Sequence, residues 1–161
     1  MFWDKVVRRR TATEPSHAVI SASHPSSYAA EVELALICAV FSAVGGEGEE
    51  PGDAASVRVV VDRWHRHRGG KPADNLSHIA GLDDHAFCRV LADKTRLGGR
   101  PRTCVVQDAA DQLLSAGIDH AADVAADPRT AKAQLASVRG LDAATIDRFC
   151  ALLEVPSAKV A

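Results

Sequence analysis

The sequence predicts an all-α fold, a compact helical bundle of about seven to eight helices. Three observations predict it. The chain is rich in Ala, Val and Leu and poor in aromatics, at 4%, and Ala and Leu favour helix. Apolar residues recur mainly at three- and four-residue spacing, the helical period. Gly- or Pro-containing breaks separate these periodic stretches. With 161 residues the chain can build one domain with a real core, and two comfortable ones do not fit. The expected organisation is an N-terminal arm over residues 1–26, a single helical domain over 27–156 with a helical hairpin at about 127–153, and a tail over 157–161.

The arm holds few core residues. Phe2, Trp3, Val6 and Val7 suit a short amphipathic docking turn, and the triplet Arg8-Arg9-Arg10 reads as solvated. Ser26 and Ser27 offer caps to a helix from Tyr28 to Val44. Its dense apolar positions (Val32, Leu36, Ala39, Val40, Phe41) predict burial on most sides. Gly45 to Gly52 is an acidic, Gly-rich connector, expected to be solvated. Asp53 caps a helix from Ala54 to His67 with Val57, Val60, Val61 and Trp64 on one side. Its basic C-terminal end complements the helix dipole. After the break Gly69-Gly70-Lys71-Pro72, a short helix runs from Asp74 to Ala80. Another opens at Asp83-Asp84 with Phe87, Val90 and Leu91 inward. A long helix from Thr103 to Ala116 buries Val105, Val106, Ala109, Leu113 and Leu114, and His120 to Ala126 forms a short step beyond it.

Composition excludes several functional classes. Lys and Arg number 19 against 21 Asp and Glu, so net charge does not announce a nucleic-acid binder. Cys38, Cys88, Cys104 and Cys150 are scattered through apolar-periodic stretches, where free Cys acts as a small hydrophobe. They form no metal pattern and no disulfide framework, which points to a reducing cytoplasm. His65 and His67 are two apart on a helix and diverge, so they do not share a metal. The most apolar run, Leu34 to Val44, is too short to span a membrane, and the N-terminus lacks a signal-peptide pattern. No Rossmann glycines, Walker A motif or haem CxxCH are present, so no cofactor is expected. Heavy use of Ala, Arg, Asp and Gly suits a GC-rich bacterial genome.

The stretch Asp127 to Pro156 carries the most specific pattern. Asp127-Pro128 is a helix start, with Asp as cap and Pro in the first turn. Ala131, Leu135 and Val138 follow at helical spacing. Arg139-Gly140-Leu141 interrupts them, and Gly tolerates a left-handed turn. Asp142 caps the next helix, whose Ile146, Phe149, Leu152 and Leu153 share one face. Two short helices around Val138-Arg139-Gly140-Leu141-Asp142 resemble the helix-hairpin-helix of the endonuclease III-like (HhH-GPD) superfamily of DNA repair glycosylases. Upstream, a basic entry (Arg100-Pro101-Arg102-Thr103), a long helix and a connector stand in the family's order, and two earlier helices fit the opening of its six-helix core. The resemblance covers roughly Ser27 to Pro156. It implies that hairpin backbone N–H groups and the following helix start hold a DNA phosphate.

Departures from the family pattern argue against its chemistry. Asp142 replaces the second hairpin Gly and repels a phosphate there. Ala144 stands where the bifunctional members carry a nucleophilic Lys, and the expected position of the catalytic Asp falls at or past Ala161. The four-Cys cluster loop of some members is absent. The expected function is therefore a non-catalytic DNA-interaction module that binds duplex phosphates weakly. The alternative is a protein-interaction or scaffold subunit, docking through the Phe2-Trp3 segment. An active glycosylase or lyase is the least favoured reading, because the matched positions offer neither a carboxylate nor an amine. From Arg58 to Arg102 bases outnumber acids by about two to one, which argues for an anionic partner; an ordinary basic surface patch is the bland alternative. The expected phosphate contacts are Lys94, Arg96, Arg100, Arg102 and Arg139, with Gly140 shaping the hairpin turn.

Overall fold

The computed structural model describes residues 27–49 and 52–155. Within them the chain forms eight helices and one two-stranded hairpin: α1 Val32–Ser42, α2 Ala54–His67, α3 Ser77–Ala80, α4 Asp84–Leu91, β1 Arg96–Leu97, β2 Arg100–Pro101, α5 Arg102–Ser115, α6 Ala121–Ala126, α7 Pro128–Ala136 and α8 Ala143–Leu152. The Phe2-Trp3 segment, the Arg8–Arg10 triplet and the tail lie outside the described residues. No helix among those described is long and apolar enough to cross a membrane.

Helix α1 is the centre. Every residue from Val32 to Phe41 is buried, and the helix packs against α2, α5 and α8. Its apolar run from Leu34 to Phe41 leaves no polar face to turn toward water. Helix α5 is the second organiser, touching α3, α4 and α7 as well as α1. Trp64 of α2 is fully buried, edge-on to Phe87 of α4 with ring centroids 5.3 Å apart.

Local cap chemistry set four of the eight helix starts as the sequence indicates. Asp53, Asp83, Asp127 and Asp142 each accept backbone N–H groups of the first turn they cap, satisfying donors that have no intrahelical partner. Two starts differ from expectation. Helix α1 begins at Val32 and not at Tyr28, and the Tyr28 N–H donates to the Leu152 carbonyl at 2.6 Å, tying that segment to α8. Helix α3 begins at Ser77 and not at Asp74. The Asp74 carboxylate accepts from Ala121 N–H at 2.7 Å, and the Asn75 N–H donates to the Glu33 carboxylate at 2.9 Å, so both residues serve distant segments.

Glu33 is fully buried inside the α1 core. Its carboxylate also accepts from Trp64 Nε1 at 2.6 Å and Arg68 Nε at 3.1 Å. Burial of a charge is tolerated only when it is paired and hydrogen-bonded, and this one joins α1, α2 and the loop before α3. The fold is thus mostly helical, as expected. The all-α description is corrected by the small hairpin Arg96–Pro101, whose strands pair antiparallel in the register Arg96↔Pro101 and Leu97↔Arg100.

Candidate nucleic-acid interface

Gly98 and Gly99 connect the two strands with φ of +59° and +76°. Positive φ at both central residues is the type I′ turn, which matches strand twist and strongly favours Gly. Leu97 is buried and anchors the hairpin in the core. The Arg102 N–H donates to the Thr95 carbonyl at 3.0 Å, carrying the pairing up to the start of α5.

A second glycine turn joins α7 to α8. Gly140 has φ +104°, and the Leu141 N–H donates to the Val138 carbonyl at 3.2 Å. The two turns pack backbone to backbone. A Cβ on Gly98 would stand 3.2 Å from the Gly140 Cα, and one on Gly140 would stand 3.2 Å from the Leu97 carbonyl oxygen. Lys132 of α7 and Asp147 of α8 bridge the helical hairpin at 2.7 Å, and this bond raises the Lys132 pKa above its ordinary value.

This packing gathers part of the expected contact set. Arg96 and Arg139 are exposed. Arg96 Nε donates to the Gly99 carbonyl at 3.1 Å, laying its guanidinium over the β-turn. Arg100 is partly buried and already engaged: it pairs with Asp108 of α5 at 2.5 Å and donates to the Arg139 carbonyl at 3.3 Å. It thus fastens β2 to the α7–α8 turn. Lys94 is exposed, on the rim of a neighbouring groove of about 950 Å³ that also borders His85, Cys88 and Thr103.

Arg102 corrects the expectation. Its side chain is 1% exposed and its guanidinium donates to the carbonyls of Val40 and, at 3.0 Å, Ala43. These carbonyls close the C-terminal end of α1: that of Val40 also accepts from the Ala43 N–H at 3.3 Å, and Ala43 is the residue just past the helix. Burial lowers its pKa, yet a guanidinium stays charged in a protein. Arg102 is a buried helix cap and offers no surface to a phosphate. Arg63 does the same work for α4, donating to the carbonyls of Leu91 at 2.7 Å and Ala92 at 3.2 Å.

Glu49 belongs to this corner and was missed by sequence reasoning, which took its loop for a solvated connector. One carboxylate oxygen accepts from Gly98 N–H at 3.0 Å and Gly46 N–H at 3.2 Å, and the other from Gly99 N–H at 2.8 Å. The backbone N–H groups of Gly99, then Gly98 and Gly46, hold its pKa below the usual carboxylate range. Asp142 is likewise held low, by the Thr145 hydroxyl first and the Thr145 N–H second. The Gly-Gly dipeptide between Arg-Leu and Arg-Pro was a legible hairpin signal. The partner of its amides, 49 and 50 positions away in the chain, had no local signature.

The corner can hold an anion by backbone N–H groups and exposed guanidinium groups. Among the described residues no group of three or more His, Cys, Asp or Glu side chains is placed to bind a metal ion. Compared with known proteins, the chain matches no family model, no curated protein and no solved structure.

Proposed function

We propose that this chain is a non-catalytic nucleic-acid-interaction module that takes duplex phosphates weakly where the Gly98–Gly99 turn meets the Gly140 turn. The observation that supports it is the backbone contact between these turns, which puts the exposed Arg96 and Arg139 at one corner. The resemblance to the helix-hairpin-helix glycosylases adds the expectation that such a turn faces a phosphate. Ala144, exposed in the first turn of α8, provides no amine for lyase chemistry.

Binding to a short fluorescent duplex, intact or with an abasic site, tests this reading across a salt series. Arg96→Glu/Arg139→Glu is the informative double variant, because both residues are exposed. Variants at Arg100 or Arg102 break an ion pair or a buried cap and confound the result. Log affinity is expected to fall linearly with log salt, with a slope of about −0.9 per neutralised phosphate, and binding is lost in the double variant. A folded, helical protein that binds no duplex at low salt overturns the reading.

A protein-interaction role is the second reading, favoured by a specific observation. Carboxylates of the chain itself already occupy the anion-seeking positions of this corner: Glu49 on the Gly98 and Gly99 amides, Asp108 on Arg100 and Asp142 on the start of α8.

A further inference from the structure

We propose that the Gly98–Gly99 turn is a phosphate seat that the chain's own acidic loop fills, and that a nucleic-acid phosphodiester docks there only by displacing the Glu49 carboxylate. This inference rests on reading the corner as a nucleic-acid interface.

Two successive backbone N–H groups in a positive-φ turn form a concave nest for an anion. Here they converge on one carboxylate, with one oxygen on the Gly98 amide and the other on the Gly99 amide. A carboxylate and a phosphodiester both present a pair of anionic oxygens, so the geometry that receives one suits the other. Neither glycine has a side chain to fence the seat, and a Cβ at Gly99 would meet nothing within 4 Å. Arg96 lies across the turn, and Arg139 precedes the glycine packed against it. Two exposed cations therefore flank the seat, while the anion in it comes from a different segment.

The occupant is built to be close-fitting and removable. A Cβ on Gly45 would fall 2.2 Å from a Glu49 carboxylate oxygen, so only glycine lets the loop fold so tightly around its own Glu. Gly46 and Gly48, the latter at φ +84°, leave the loop backbone few steric barriers to swinging away. Glu49 is only partly buried, so its hydrogen bonds compete with water. By contrast, the Arg102 contacts to α1 and the Glu33–Trp64 bond are sealed in the core. The loop is thus held to the hairpin by solvent-accessible bonds that an incoming phosphate replaces one for one.

The test is duplex binding by the full chain carrying Glu49→Gln, which removes the charge and leaves one accepting oxygen where the turn's two N–H groups now have two. If the seat is clear in about one wild-type molecule in ten, weakening its occupant raises apparent affinity, up to about tenfold when the seat is cleared. The gain must vanish when Arg96→Glu/Arg139→Glu is added. Unchanged or weaker binding by Glu49→Gln, with salt-sensitive wild-type binding still lost in the Arg double variant, overturns the plug and leaves the interface reading standing. No duplex binding by either protein overturns both. Should Glu49→Gln fail to fold, NMR of the wild type decides. Added duplex is expected to shift the Glu49 side-chain carboxyl carbon together with the Gly98 and Gly99 amides. A shift at Arg139 with the Glu49 carboxyl unmoved overturns the proposal.

Discussion

Arg102 and Arg139 have the same side chain and opposite roles, and only their surroundings separate them. Arg102 closes the end of α1 from inside the core, where its guanidinium stands in for water at the carbonyls of Val40 and Ala43. Charged hydrogen bonds to buried carbonyls contribute more than neutral ones. Arg102→Leu should therefore lower stability by about 3 kcal/mol, read as an earlier urea midpoint. Arg139→Glu, on an exposed turn, should stay within about 0.5 kcal/mol of wild type. Equal midpoints for the two variants would refute the buried-cap assignment. The sequence could not single out Arg102, because Arg100-Pro101-Arg102 reads as one basic cluster and all of its arginines looked as available as Arg139. The difference arises from α1 lying over the second position, 59 and 62 residues away in the chain.

At the scale of elements, the glycine turns decide how the hairpins meet. Gly140 combines φ +104° with a backbone oxygen 3.2 Å from where a Cβ would sit. Gly140→Ala should cost about 1–3 kcal/mol and loosen β1 from the α7–α8 turn, visible as faster amide exchange at Gly98 and Leu141. Gly46 has no positive φ, and a Cβ there would meet nothing within 4 Å. Gly46→Ala should thus be neutral or slightly stabilising. Similar costs at both positions would show that the close approach of the two turns does not matter. Helix starts were legible because an Asp cap and its first-turn donors lie within three residues of each other. The strands of the small hairpin are two residues each, too short to show alternation, so only their Gly-Gly turn marked them. The start of α1 was misplaced, and the segment before it is tied to α8 through Tyr28, a tertiary contact that no local cap signal reports.

Over the whole molecule, carboxylates recur as ties for backbone N–H groups, and this gives stability a defined dependence on pH. Glu49 and Asp123 are held below their ordinary pKa chiefly by backbone N–H groups, those of Gly99 and Asp119 first. At Asp53, Asp127 and Asp142 the leading causes are the hydroxyls of Ser56, Thr130 and Thr145. A carboxylate whose pKa is lower in the folded state adds stability above its unfolded value, roughly 4. That stability disappears as pH falls through the folded value. Asp111 runs the other way, raised by desolvation and then by Asp108 and Asp84, but it is one group against five. His120 is raised, first by its bond to the Asp74 carbonyl. Its contribution is complete below roughly pH 6.5 and is lost as pH rises through its folded value. The two trends bracket a plateau in the mildly acidic range. Thermal unfolding followed by circular dichroism should show Tm dropping steeply below about pH 4 and slipping more gently above neutrality. Asp127→Asn and Glu49→Gln should each flatten the acid limb and leave the alkaline one in place, whereas His120→Ala should flatten chiefly the alkaline side. A wild-type Tm that holds or rises down to about pH 3 would mean that these ties do not couple to global unfolding. The Glu49 bond would then be a local contact free to open without loosening the fold.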